Sequence, residues 1–302
     1  MQTLLGASAS DPVSVYLNST DEINLETTPC LLCRSSNSSI IHTFGQLQVV
    51  ICRKCNLVYL NPRLKESAMR TVYQSDDYFS QRKDAGYEDY SFQEDSLRTT
   101  FKRFLEKLEK HGMTSGKILE VGCGYGYFLD EAKYFFSHRE GIELSQDAGS
   151  YAGRLSGAHI HIGDVGSLPP ELNEYAVIVL INVIEHIYSP VEFLCLIKQR
   201  LKNDGRIVVA TPDIGSFWHI IMRKRWPSFK IPEHVAFYSG QTLRLLLQKT
   251  GFDDIRELPF PHAFPIGLIA HKLGLRVPTK LGKRSMWVPK TMVTLSARSR
   301  NE

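Results

Sequence analysis

The sequence predicts an α/β protein, a doubly wound and mostly parallel sheet preceded by a small cysteine-bearing module. Three observations carry this. Lys117-Ile-Leu-Glu-Val121 runs into Gly122-Cys-Gly-Tyr-Gly126 and then an apolar helix with Phe128, Leu129, Ala132 and Phe135. Strand, glycine turn and helix in that order form the unit that opens such a sheet. Ala176-Val-Ile-Val-Leu-Ile181 is an uninterrupted apolar run, as a parallel strand covered on both faces requires. Ahead of both stand Cys30-Leu-Leu-Cys33 and Cys52-Arg-Lys-Cys55, two pairs with 18 residues between them.

Composition sets the class. With 302 residues, 43% hydrophobic and 23% charged, the chain is excluded from the collagen-like, disordered and disulfide-dense classes. No stretch reaches the roughly 18 apolar residues of a membrane span. The first 20 residues carry no basic residue ahead of their apolar patch, which argues against a secretory leader and for a cytoplasmic protein. The net charge of +4 is uneven: residues 261–302 hold eight Lys/Arg and one acid, and the remainder is −3.

Taking the elements in order, the four cysteines match the spacing of a structural zinc site, in which two CxxC turns complete a tetrahedron. Residues 28–62 therefore read as a zinc ribbon, with Cys30, Cys33, Cys52 and Cys55 as ligands. A pair of disulfides is the competing reading, and a reducing compartment weakens it. Residues 63–96 follow as a linker with Tyr73, Tyr78, Phe79, Tyr87 and Tyr90, spaced as a lid over a site or as plain packing. From Leu97, apolar residues at 101, 104, 105 and 108 recur at helical spacing up to Gly112.

The glycine turn selects its ligand by what it lacks. Five positions after Gly122 stands Tyr127, where a dinucleotide fingerprint needs glycine, and no Lys-Ser/Thr follows as in a P-loop. Glu120-x-Gly122-x-Gly124-x-Gly126 instead resembles the first motif of class I S-adenosylmethionine (SAM)-dependent methyltransferases. The resemblance continues in chain order through Gly141-Ile-Glu143-Leu144-Ser145, His159-Ile-His-Ile-Gly163-Asp164-Val165, the run ending at Asn182, and Val183-Ile-Glu185-His186-Ile187. Leu201-Lys-Asn-Asp-Gly205 resembles the family's Leu-Lys-Pro-Gly-Gly turn, with Asn203-Asp204 replacing Pro-Gly in a structural loop. Gly251-Phe252 matches the entry to the sixth strand.

The resemblance covers residues 97–258 and implies a Rossmann-like, seven-stranded domain over about 97–260 with SAM as cofactor. It implies that Glu143 receives the ribose hydroxyls, that Asp164 meets the adenine amine, and that Glu185 and His186 lie along the methionine portion. Glu120, Gly122, Gly124, Gly126, Leu144, Val165 and Asn182 complete the implied cofactor contacts.

A sulfonium methyl is already activated, so the protein must align the acceptor and, for a hydroxyl, remove its proton. Residues 213–240 read as a substrate insertion, whose Phe217, Trp218, Trp226, Phe229, Phe237 and Tyr238 suit an apolar wall. Pro232-Glu233-His234 resembles a pattern of small-molecule methyltransferases. It makes His234 the candidate base, with a pinning role for the insertion as the alternative. His186 is a second catalytic candidate or a loop-orienting residue. The tail 261–302 reads as a basic extension for peripheral contact with an anionic membrane surface or with the phosphates of a nucleic acid, or as a solvated extension or dimer arm, with disorder expected from Ser296 onward.

The arrangement of ribbon, Leu57-Val-Tyr-Leu-Asn-Pro-Arg63 and Glu185-His186 resembles bacterial methyltransferases of surface-glycan or secondary-metabolite pathways. It implies a small molecule, sugar or lipid-linked precursor as acceptor, methylated on a hydroxyl, with N- or C-methylation as the alternatives. The sparse basic residues of the ribbon (Arg34, Arg53, Lys54, Arg63), and the absence of an Asn-Pro-Pro-Tyr or Asp-Pro-Pro-Tyr sequence, argue against a nucleic-acid partner. RNA methylation with the ribbon as nucleic-acid module is the alternative. The sequence specifies no oligomeric state.

Overall fold

Residues 38–52 form a β-hairpin that turns at Gly45, which takes φ 58°. In the computed structural model, residues 24–74, 90–272 and 277–299 are described, apart from the side chains of 71–74, 90–92, 271–272 and 279. The leader expectation for residues 1–20, the lid aromatics Tyr73, Tyr78, Phe79, Tyr87 and Tyr90, and Leu273 to Arg276 of the tail lie outside what is described.

The N-terminal elements are β1 (Leu25–Glu26), β2 (Ser38–Phe44), β3 (Leu47–Cys52), β4 (Val58–Leu60), β5 (Arg63–Leu64) and α1 (Glu66–Gln74). β2 and β3 form the hairpin, and Leu47, Val49, Val50 and Cys52 of β3 are buried. β1 pairs with β5.

The sheet domain follows as α2 (Tyr90–Lys110), β6 (Lys117–Val121), α3 (Tyr127–Ala132), β7 (His138–Glu143), α4 (Gln146–Ser156), β8 (His159–Ile162), β9 (Tyr175–Ile181), α5 (Pro190–Arg200) and β10 (Leu201–Pro212). Next come α6 (Phe217–Met222), β11 (Ala236–Phe237), α7 (Gly240–Lys249), β12 (Phe252–Glu257), β13 (Ala263–Pro265), α8 (Ile266–Lys272), α9 (Thr279–Gly282), β14 (Ser285–Trp287) and β15 (Met292–Ser299). The seven-stranded sheet has the order β12-β15-β10-β9-β6-β7-β8. β15 is antiparallel to both neighbours and β6 to β10 are mutually parallel, so the fold is the expected mostly parallel, Rossmann-like sheet. All seven residues of β9 are buried, which is why its sequence carries no polar position.

Two expectations change here. The tail is not a loose extension. β15 lies inside the sheet, where Val293, Leu295, Ala297 and Ser299 are buried on one face and Thr294 and Ser296 on the other. Short polar side chains disguised a strand covered on both faces. Upstream, β13 pairs with β14 and packs on α2: the Ala263 N–H donates to Thr100 Oγ1 (2.9 Å), and the Phe260 and Phe104 rings lie 4.7 Å apart. An interfacial membrane segment is thus replaced by fold. Among the described residues no helix is long and apolar enough to cross a membrane.

The insertion is likewise not an open apolar wall. β11 joins β4 as the outer strand of a four-stranded sheet ordered β11-β4-β3-β2. Trp226, Phe229, Phe237 and Ile231 are buried against Leu47, Val49, Val58 and Leu60 of the ribbon, so most of the insertion's aromatics hold two segments together.

Candidate active site

The parallel strands end on one edge, where a doubly wound sheet takes its ligands. At that edge the turn after β6 folds back on β7: the N–H groups of Gly122 and Cys123 both donate to the Ile142 carbonyl (2.8 and 3.0 Å). Gly122, Gly124 and Gly126 all have positive φ (72°, 52° and 78°). At Gly126 a side chain would meet Ala152 of α4, its Cβ at 2.8 Å and its Cα at 2.9 Å. At Gly124 a Cβ would find nothing within 4 Å. Packing therefore explains glycine at 126, whereas at 124 the open space beside the backbone is a cradle a ligand can enter.

Acids surround that cradle. Glu143 at the end of β7 accepts from the Gly124 N–H (2.8 Å, Oε2) and the Ser145 N–H (3.0 Å, Oε1). Glu120 is 4% exposed, its Oε2 has no partner among the described residues, and burial followed by the neighbouring Glu143 charge holds its carboxyl well above the usual range. Asp164 caps the turn after β8 by accepting from the Ser167 N–H (3.0 Å) and faces Arg70 of α1 at 3.5 Å. The Asp164–Arg70 contact brings part of the 63–96 segment to the edge. Val165 is buried beside Asp164 and Leu144 is 48% exposed. Asn182, exposed at the end of β9, adopts φ 54°. The residues singled out around Gly122 to Asp164 converge on one site, and their donor and acceptor set fits a cofactor bearing hydroxyls, an amine and a cationic centre.

A second cluster lies past β9 and β10. The Glu185 side chain is 1% exposed; its Oε2 accepts from Thr211 Oγ1 (2.8 Å) and its Oε1 has no partner among the described residues. Burial pushes this carboxyl up to about 7 against the hydrogen bonds that favour its charge. His186 Nδ1 donates to the Glu233 carbonyl (3.1 Å), leaving Nε2 as the basic nitrogen of the neutral ring. Burial and then nearby Lys230 lower His186 to about 4. His234, 4% exposed, packs edge-on against His186 with centroids 4.6 Å apart. Its ring donates to the Ser228 carbonyl, and Nδ1 has no partner among the described residues. Burial, His186 and Lys230 together hold its pKa well below the ordinary value. His234 was expected to titrate near working pH; its enclosure keeps it neutral instead. Backbone bonds fix it in place, with the Val235 N–H donating to the Glu185 carbonyl (2.9 Å) and the Leu60 N–H to the Val235 carbonyl (3.0 Å). The sequence reading gave no role to Arg70 or Thr211, and took Tyr238 for part of an apolar wall, whereas its hydroxyl is fully buried near Glu185 with no partner among the described residues.

The four cysteines gather as expected. Cys30 and Cys55 Sγ lie 3.4 Å apart, Cys33 and Cys52 Sγ 3.5 Å, and all four sulfurs lie within 4.8 Å of one another. A tetrahedral zinc with Zn–S bonds of about 2.3 Å sets sulfurs about 3.8 Å apart, so the cluster fits the ion and no disulfide forms. The two knuckles repeat one geometry: Arg34 and Asn56 have φ 61° and 63°, and each N–H donates to the carbonyl of its pair's first cysteine at 2.9 Å.

Comparison with known proteins agrees with this edge. A family model described as a methyltransferase domain matches residues 91–257. Among curated proteins, the chain is similar to the tRNA U34 carboxymethyltransferases of Aeromonas hydrophila (26% identical over 153 residues), Vibrio cholerae (27% over 157) and Proteus mirabilis (29% over 149). Each match covers 46% of this chain and 45% of the relative, so the chain spans under half the length of these proteins. Among solved structures it resembles a SAM-dependent methyltransferase from Thermotoga maritima described as a possible histamine N-methyltransferase (TM-score 0.51, 18% identity, 70% of this chain and 95% of that one). It also resembles a SAM-dependent methyltransferase from Archaeoglobus fulgidus (0.50, 19%, 69% and 98%). Magnesium protoporphyrin IX methyltransferase from Synechocystis, solved with bound S-adenosylhomocysteine, is a third (0.51, 13%, 78% and 100%). At these identities the structures speak for the fold.

The relatives correct one expectation: a small-molecule, glycan or lipid-linked acceptor with no nucleic-acid partner is overturned by curated relatives named for tRNA. The sparse basic residues of the ribbon misled because they are only part of the charge that the fold brings together. The chain is an enzyme that uses SAM, and it belongs to the class I SAM-dependent methyltransferases.

Proposed function

We propose that this enzyme transfers the methyl group of SAM to a nucleoside of tRNA. The observation carrying the reading is the similarity to proteins named for tRNA U34, which share 26–29% identity with this chain. In this reading Glu143 holds the ribose hydroxyls, Asp164 the adenine amine, and the turn from Gly122 to Gly126 the cofactor's polar atoms, with Glu120, Leu144, Val165, Asn182 and Glu185 beside them. Bound SAM supplies a methyl already activated on a sulfonium. The chain's own residues align the acceptor, exclude water and take its proton. His234 and His186, kept neutral by burial, stand in the form that accepts a proton. The units we infer are a ribbon over 28–62 tied through β11 to the insertion 213–240, and a cofactor domain from residue 97 that includes β15.

The test incubates the enzyme with methyl-tritiated SAM and total tRNA, followed by nuclease digestion and chromatography of nucleosides. Label is expected in one nucleoside, lost in Glu143→Ala with SAM affinity, and reduced at least about 100-fold in His234→Ala with SAM affinity retained. Tritium that never enters tRNA while appearing in a low-molecular-weight extract overturns the reading. Near-full turnover in His234→Ala removes the base role.

A further inference from the structure

Residues 27–65 and 214–232 contain nine Lys/Arg and no Asp or Glu, whereas the rest of the chain sums to −5. About 150 residues of sequence separate the two segments. The fold joins them through the β11–β4 pairing and a shared core of Leu47, Val49, Val58 and Leu60 with Trp226 and Phe229. The result is one acid-free body. Arg34, Arg53, Lys54, Arg223, Lys224 and Arg225 are all exposed on it, and none forms an ion pair with a carboxylate among the described residues.

Flat apolar groups stand among those charges. Lys224 Nζ lies 4.9 Å over the Phe44 ring at the hairpin tip. Phe217, Ile220 and Ile221 of α6 are 61%, 64% and 59% exposed, and Ile40 on β2 is 57% exposed. β2 is the outer strand of its sheet and runs from the cysteine knuckles to Phe44, about 23 Å for seven residues. Cations with no ion pair among the described residues, beside the exposed Phe217 ring, suit a strand of phosphates and bases: the cations neutralise phosphates, and the ring stacks on a base whatever its sequence. His234 follows the second segment directly, after Glu233, and its ring centroid lies 6.2 Å from that of Phe237 on β11.

We propose that β2, α6 and the Arg223–Arg225 turn form the surface on which this enzyme holds single-stranded RNA. The proposal rests on the tRNA reading above and names where that RNA lies. The experiment measures binding of a fluorescein-labelled tRNA transcript by anisotropy between 50 and 300 mM KCl. The proteins are the full-length wild type, the triple variant Arg223→Gln/Lys224→Gln/Arg225→Gln, and Phe217→Ala, with SAM affinity as the control for folding.

The triple variant should bind at least about 10-fold more weakly at 100 mM KCl, with the log–log salt slope reduced by about 2, as three lost phosphate contacts on a single strand require. Phe217→Ala should lose about 5-fold or more with the slope unchanged, the mark of stacking. Hydrogen exchange of the wild type should show protection at 38–44 and 217–225 when tRNA is added. A triple variant that keeps wild-type affinity and slope, or protection confined to other segments, overturns the surface while leaving the tRNA reading intact. Wild type that neither binds nor methylates tRNA fails the reading itself. Vesicles of 30% phosphatidylglycerol form the other arm: if the triple variant loses vesicle binding but not tRNA binding, the patch belongs to lipid and the proposal is wrong.

Discussion

The two halves of the ligand-facing edge are built in opposite ways. Around β6, β7 and β8 the site is local and acidic: Glu120, Glu143 and Asp164 come from a stretch of 45 residues and meet at one glycine turn. Past β9 and β10 it is long-range, because the ribbon and the insertion reach each other only through tertiary pairing. The carboxylates suit hydroxyls, an amine and a positive centre, and the opposite face suits a polyanion. A single molecule thus sets acids around its glycine turn and exposed cations on its ribbon and insertion.

The contrast yields four predictions, beginning with the largest effect. Structural zinc contributes roughly 10 kcal/mol to the folding of small ribbons, so its removal by chelation, or Cys52→Ser, should release the ribbon and the insertion together. Hydrogen exchange over 38–60 and 214–237 should become fast, while SAM affinity changes less than about threefold. Slow exchange in the metal-free protein would mean that the two segments hold each other without the ion.

Next come the glycines. Gly126→Ala adds left-handed strain to overlap with Ala152 and should cost about 3 kcal/mol in urea denaturation. Gly124→Ala should cost only about 1 kcal/mol but weaken SAM binding at least tenfold by calorimetry. Equal affinity in Gly124→Ala would empty the cradle of its proposed role.

The third concerns pH. Because the Glu185 carboxyl titrates near 7 when folded and near 4.5 when unfolded, the folded state binds the extra proton between those values. The carboxyl therefore lowers stability as pH rises from about 4.5 to 7, by about 3 kcal/mol in total. Glu185→Gln removes this dependence, so its stability relative to wild type should improve by that amount between pH 4.5 and pH 8. A variant whose difference from wild type is the same at both pH values refutes the assignment.

The smallest effect is expected at Arg70→Ala. Its ion pair with Asp164 is exposed on both sides, and the change should alter stability by less than about 0.5 kcal/mol.

Much of the cofactor half was readable in the chain. A glycine turn needs particular residues at particular positions, and the acids flanking it sit at fixed distances from strand ends, so Glu143 and Asp164 could be placed from spacing and family resemblance. The paired cysteines were readable for the same reason, since a CxxC turn is a local geometry. The strand at Met292–Ser299 was missed because periodicity reports apolar residues, and Thr294, Ser296 and Ser299 are buried without being apolar. His234 was readable as a candidate base, but its lowered pKa was not, because that follows from burial beside His186 and Lys230.

By itself the sequence determined the fold class, the cofactor and the metal-binding knuckles, all of which rest on interactions within a few turns of chain. Charge was decided by tertiary structure alone. Read along the sequence, the basic excess belongs to residues 261–302; in the fold Arg298 of β15 pairs with Asp254, while Lys280, Lys283, Arg284 and Lys290 stay exposed with no ion pair to a carboxylate among the described residues. Folding brings a second group of exposed cations together where residues 27–65 meet 214–232. Coulomb energy depends on distance in space, and that distance is set by β11 pairing with β4.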